Sequence, residues 1–217
     1  MRKNRPLVAV LATLGLAPCV SHAGASLLVD DAGTTAGGHC QLESWLRARP
    51  GTLEATAMPA CAWSGLEYSL GAGRSSDAAQ GATLYAGLKH TLVDMGDRTP
   101  GLAVALNGDW QHGFDAASAY LAASLPLGRR LTLQADLGAR RLRHGDGRPL
   151  AGAGLEYLAG QRWSWLAEVY SEGAAYRAVQ GGVRVRLPGA LSVDMLAGRD
   201  NAGRWLTLGL NWSPGDR

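Results

Sequence analysis

Arg204-Trp205-Leu206-Thr207-Leu208-Gly209-Leu210-Asn211-Trp212 is the stretch that decides the fold. Leu206, Leu208, Leu210 and Trp212 fall on one side of an extended chain. Trp205, Thr207, Gly209 and Asn211 fall on the other. Successive side chains of a strand point to opposite faces, so this run has an oily face and a wet one. The same alternation recurs back to about residue 39, and it divides the chain into twelve strands. They are expected at roughly 39–49, 52–63, 66–73, 82–92, 101–111, 117–127, 131–143, 149–159, 163–171, 175–187, 191–199 and 204–212. Many alternating strands in a secreted chain point to an all-β fold, a single antiparallel transmembrane β-barrel with its oily face in lipid.

The secretory signal stands at the start. Met1-Arg2-Lys3-Asn4-Arg5-Pro6 is basic, Leu7–Ala17 is apolar, and Ser21-His22-Ala23 has small residues where a signal peptidase reads. Cleavage is expected after Ala23. The apolar part is too short to span a bilayer as a helix. Acylation at Cys19 would make the chain a lipoprotein, but Pro18 fits that motif poorly. The organisation read from this is 1–23 signal peptide, 24–38 short periplasmic segment, 39–212 barrel and 213–217 tail.

Removing 23 of the 217 residues leaves 194, with 18 basic and 18 acidic side chains. The net charge of +3 therefore belongs to the leader. No basic block survives in the mature part, so it has no electrostatic footprint for nucleic acid. No apolar run there approaches 18 residues, so a transmembrane helix is excluded. The near-neutral mean hydropathy suits a barrel, in which lipid-facing and lumen-facing residues cancel.

Connections alternate in kind. Ser64-Gly65, 95–100, 127–130, 160–162 and 188–190 form a mostly tight set. The segments 74–77, 112–115, 144–147 and 200–203 form a polar one. Short periplasmic turns and polar external loops behave this way, and an even strand count places both termini on the periplasmic side. The oily face carries, among others, Leu42, Leu70, Leu84, Leu106, Leu121, Leu137, Val179 and Met195. Trp110, Trp163, Trp165 and Trp212 sit near strand ends, where a membrane interface accommodates ring and N–H together. A soluble two-sheet sandwich also alternates, but it explains neither these aromatics nor the two kinds of turn.

The opposite face carries Glu43, Arg47, Glu54, Glu67, Lys89, Asp109, Asp136, Arg140, Glu156, Glu168, Arg184, Arg186 and Asp194. Such charges suit a wet lumen, not lipid. They could line an open channel or pair off to pack the interior, and the sequence leaves both open. Leu166 and Leu196 on this face hint that part of the lumen is filled or lined for apolar cargo.

Cys40 and Cys61 flank Pro50-Gly51, a favoured pair at the centre of a turn. A hairpin centred there sets Cys40 opposite Cys61 and Arg47 opposite Glu54. Opposed Cα atoms lie roughly 4.5–5.5 Å apart, within reach of a disulfide, and the periplasm is oxidising. Two free thiols, or a metal site with His39, are the alternatives.

No catalytic residues, metal ligands or cofactor are expected. Only His112 has a serine close in the next strand, Ser118, and the alternation puts the two on different faces. No Gly-x-Ser-x-Gly elbow is present.

Val29-Asp30-Asp31-Ala32-Gly33-Thr34, followed by Gly38-His39-Cys40-Gln41-Leu42-Glu43-Ser44-Trp45, resembles the opening of a family of proteobacterial outer-membrane proteins. These are grouped with the meta-pathway phenol-degradation transporters. Met58-Pro59-Ala60 leading into Ser64-Gly65-Leu66-Glu67 resembles that family's second-to-third strand turn. The resemblance implies an outer-membrane barrel that passes small, possibly aromatic or hydrophobic molecules. Here the chain continues past Trp212 with Ser213–Arg217, beyond the aromatic that usually closes a barrel's assembly signal. The expectation is a passive channel or facilitator in the outer membrane of a Gram-negative bacterium. Its partners would be outer-membrane lipid, the barrel-assembly machinery and a small solute. The competing expectation is a structural or surface-interaction barrel with a packed lumen.

Overall fold

A computed structural model describes residues 26–145 and 147–214. The signal sequence, its cleavage point, Cys19 and the last three residues of the tail lie outside the described residues. Twelve antiparallel strands close into one barrel. They are β1 (Cys40–Arg49), β2 (Thr52–Trp63), β3 (Leu66–Ser75), β4 (Ala82–Val93), β5 (Gly101–Trp110) and β6 (Phe114–Pro126). The second half comprises β7 (Leu131–Leu142), β8 (Gly147–Leu158), β9 (Trp163–Glu172), β10 (Tyr176–Leu187), β11 (Leu191–Asp200) and β12 (Gly203–Trp212). Each strand pairs with its sequence neighbours, and β1 closes on β12 through the register Leu42↔Trp212 to Ala48↔Leu206. Closure leaves no unpaired edge, the condition for spanning hydrocarbon with strands. The strands match the expected twelve, apart from ends such as that of β6, which begins three residues earlier at Phe114.

The faces follow the alternation. In β12, Trp205, Thr207, Gly209 and Asn211 are buried, whereas Leu206, Leu208, Leu210 and Trp212 are exposed. The outer wall shows the same apolar set on every strand, including Leu70, Leu84, Leu137 and Trp165. The end that holds the start of β1 and the finish of β12 is called the near end, and the opposite one the far end. Outward aromatics crowd the near end: Trp63, Tyr68, Tyr157, Trp163, Trp165 and Trp212. Trp110 and Phe114 meet edge to face at the far end, 6.0 Å apart.

The β1–β2 hairpin turns at Pro50-Gly51, with Gly51 at φ 80°, the left-handed conformation that the third residue of a type II turn requires. Its register sets Arg47 opposite Glu54 and Cys40 opposite Cys61. The two cysteines form a disulfide on the outer face near the near end. Both sulfurs are thereby consumed, which removes the free-thiol and metal alternatives. The bond closes a loop whose ends are 21 residues apart. Cys40→Ser/Cys61→Ser is expected to lower unfolding free energy by roughly 2–4 kcal/mol while leaving strand content unchanged. Urea titration followed by tryptophan fluorescence and circular dichroism checks both; an unchanged midpoint would contradict it.

Candidate functional site

The inward face is not uniform around the barrel. On β2–β6 it is built largely of small residues: Ala60, Ala62, Gly71, Gly73, Gly87, Gly101, Ala103, Ala105, Ala116, Ser118 and Ala122. On β8–β12 it carries Leu150, Glu156, Leu166, Glu168, Gln180, Arg184, Arg186, Leu196 and Trp205. Large side chains fill their half of the lumen, and small ones leave theirs open. Leu166, Leu196 and Trp205 are almost fully buried, so the two leucines belong to a packed filling.

Most charges on the filled side are paired. Arg184 grips Asp194 with two bonds, Nε to Oδ1 at 2.6 Å and Nη2 to Oδ2 at 2.8 Å. Arg186 donates to Glu156 at 2.6 Å. Toward the far end Arg49 forks onto Asp200 at 3.2 and 2.8 Å. The guanidinium groups of Arg47 and Arg49 lie 5.3 and 4.8 Å from the ring centre of Trp205. Cations over an indole face are held by its quadrupole.

The stretch read as a short periplasmic segment, 24–38, runs inside the barrel from Ser26 to Thr35 and plugs part of it. Thr35 gives its N–H and hydroxyl to Glu67 on β3, at 2.6 and 2.7 Å. Ala32 N–H bonds Ser124 on β6 at 2.9 Å, and Asp30 N–H bonds Asp136 on β7 at 2.9 Å. The N–H groups of Leu28 and Val29 each meet an oxygen of Glu168 on β9 at 3.1 Å. Ser26 Oγ donates to Asp194 on β11 at 2.7 Å. Irregular backbone is tolerated at membrane depth only when its polar groups are satisfied, and here three lumen carboxylates and the Ser124 hydroxyl take up five of its N–H groups. Inward glycines mark the path. A Cβ on Gly152 would come within 2.9 Å of Val29, and one on Gly209 within 2.8 Å of Ser26.

The remaining space is an eccentric cavity of about 610 Å³. Its wall reaches from Gln41, Ala60 and Glu67 near the near end to Asp109 and Gln111 near the far end. The plug contributes Asp30 and Asp31, and the strands add Glu43, Asp136, Lys89, Arg140, Tyr120 and Tyr170. Lys89 Nζ lies 2.8 Å from Asp30 and 3.4 Å from Asp31. Tyr120 donates to the other Asp30 oxygen at 3.0 Å. Arg140 pairs with Asp109 at 2.6 Å and lies 3.7 Å from Glu172. Carboxylates outnumber cations on this wall, and both cations are already engaged. Glu43 has no ion-pair partner among the described residues.

Of the charged residues read as lumen-lining, Glu43, Glu67, Lys89, Asp109, Asp136 and Arg140 border the cavity. Arg47, Glu54, Glu156, Glu168, Arg184, Arg186 and Asp194 point inward but lie off it. The first four aromatics named, Trp110, Trp163, Trp165 and Trp212, are on the outer wall; Trp63, at 77% the most exposed of the large apolar side chains, joins them. His112 sits in the turn after β5, while Ser118 is buried on the inner face, so the two form no pair. Sequence reasoning missed the plug and the lopsided cavity. The small inward residues of β2–β6 were the legible signal for the cavity.

These features define a porin-like fold, a closed twelve-strand antiparallel barrel with a polar, partly filled lumen. Its sequence matches a family model over residues 10–213, and the chain belongs to that family, described as "Uncharacterised conserved protein UCP029691". Among solved structures it is similar to the KdgM porin in complex with disordered oligogalacturonate. That match has a TM-score of 0.66 at 6% identity, over 80% of this chain and 98% of that one. It is also similar to the NanC porin, with a TM-score of 0.61 at 9% identity, over 80% and 99% of the two chains. No curated protein matches the sequence. The matches carry the porin-like barrel fold; the expected membership among phenol-degradation transporters is not supported by them.

Proposed function

We propose that this chain is a passive outer-membrane channel for small hydrophilic solutes, with a conduit that prefers cations to anions. It would sit in the outer membrane of a Gram-negative bacterium, placed there by the barrel-assembly machinery, and would carry out no chemistry of its own. The observation that carries this reading is the eccentric cavity, with carboxylates along its length and its two cations tied into ion pairs. A low-dielectric wall lined by one sign of charge concentrates counter-ions. Oligogalacturonate, the ligand of the similar KdgM porin, is a polymer of carboxylates, and this wall would repel it. A small aromatic or hydrophobic cargo, the finer expectation, would meet Leu27, Leu28, Met58, Leu150 and the tyrosines, but on a wall that also carries seven carboxylates and two cations.

Planar-bilayer recording across a salt gradient tests this. The reversal potential is expected on the cation-selective side. Glu43→Gln should weaken the preference. Asp109→Asn should weaken it more, because it also releases Arg140. An anion-selective channel, or selectivity indifferent to both changes, would refute the reading. A second reading, a barrel closed at rest, is favoured by the seated plug. It predicts silence until residues 26–35 are removed.

A further inference from the structure

On the strands themselves, outward-facing arginines stand at the far end only. Arg74, Arg141, Arg177, Arg199 and Arg204 each stand next to the far-end terminus of their strand, and each is exposed on an outward position. Three of them lie on consecutive strands. Arg199 on β11 is directly opposite Arg204 on β12. Arg199 also faces Val179 on β10, which puts Arg177, two residues before Val179, on the diagonal. Opposed residues in a sheet are roughly 5 Å apart and diagonal ones roughly 7–8 Å, and like charges directly opposite repel. Asp200 beside them points inward and is held by Arg49. Among the described residues none of the three arginines has a carboxylate within ion-pair distance. Immediately toward mid-barrel the same face turns apolar at Val179, Ala197 and Leu206.

We propose that Arg177, Arg199 and Arg204 form a site for the phosphate headgroup of a membrane lipid, whose chains lie along Val179 and Leu206. A guanidinium matches phosphate oxygens with paired N–H donors. Three guanidiniums around one phosphate would convert their mutual repulsion into a reason for the site. The amphiphilic order on the wall, cations at the rim and hydrocarbon beneath, matches a headgroup with its chains and not a soluble anion.

Native mass spectrometry of the refolded barrel in an uncharged maltoside detergent tests the site. The probes are short-chain phosphatidic acid, diacylglycerol with the same chains, and inorganic phosphate. Phosphatidic acid is expected to bind as a resolved one-lipid adduct. Diacylglycerol and inorganic phosphate at equal concentration should bind at least tenfold more weakly. Arg199→Gln/Arg204→Gln should lower the phosphatidic acid affinity at least tenfold. Arg74→Gln/Arg141→Gln, on the other side of the barrel, should change it less than twofold. Removing the opposed pair relieves repulsion, so the first double variant should fold, and its heat-modifiable gel migration shows that it has. Equal binding of diacylglycerol, or a rim-wide loss in both double variants, would overturn the proposal. Full binding of inorganic phosphate would overturn it in favour of a free-anion site.

Discussion

Deleting residues 26–35 is expected to raise unitary conductance several-fold while the barrel stays folded. The segment crosses the lumen from Glu67 on β3 to Asp194 on β11, so it occupies the cross-section that the small residues of β2–β6 do not leave free. The strand ladder that makes the barrel does not include it: β1 closes directly on β12. Glu67, Asp136 and Glu168 lose N–H partners when the segment goes, but water enters the space and replaces them, so the cost of an unsatisfied buried acceptor is avoided. Heat-modifiable migration on a gel reports folding, and bilayer recording reports the pore. Gly152→Leu provides a full-length control. Its Cβ would stand 2.9 Å from Val29, so it should unseat the plug and reproduce part of the increase. Unchanged conductance in both variants would show that residues 26–35 do not restrict the passage.

Arg184→Leu is expected to cost roughly 3–5 kcal/mol of stability, the penalty for leaving one member of a buried ion pair alone. Asp194 is 0% exposed and loses both of its guanidinium bonds, keeping only Ser26 and Asn211 as donors. The double change Arg184→Leu/Asp194→Leu should recover most of the loss, because burying two apolar groups of similar shape is often no worse than burying the pair. Urea unfolding in lipid vesicles measures both. A single variant as stable as the parent would mean that water reaches Asp194 and that this side of the lumen is not packed. Arg184 is therefore a probe of stability and not of ion flow, whereas Glu43 and Asp109 on the cavity wall are probes of flow.

The barrel was legible because alternation is a property of each strand taken alone. Leu206, Leu208 and Leu210 declare their face whatever the partner strand is. The hairpin at Pro50-Gly51 was equally local, and its turn chemistry set Cys40 opposite Cys61. The lumen was legible only as a list of polar residues. Whether Glu168 faces water, an arginine or a backbone N–H depends on what crosses the barrel, and that is a non-local fact. Ser26–Thr35 was misplaced for the same reason. With Asp30, Asp31 and Gly33 it has the composition of a solvated linker, and its backbone, not its side chains, makes most of the contacts that hold it. The two sides of the lumen could have been told apart by the size of inward residues, strand by strand: Gly71, Gly87 and Ala105 against Leu166, Arg184 and Trp205.

The seat of the N-terminal segment also orders events in time. Its hydrogen-bond partners come from β3, β4, β6, β7, β9, β10 and β11, with sequence separations from 32 to 168 residues. The early strands can hold only its Asp30–Thr35 part, because Asp194 and Glu168, which hold Ser26–Val29, arrive with the last part of the chain. Contacts of such separation form late, after the loops between them have closed. The Ser26–Val29 end of the segment therefore cannot be seated until β9, β10 and β11 are in place, so the start of the described chain waits on its far part.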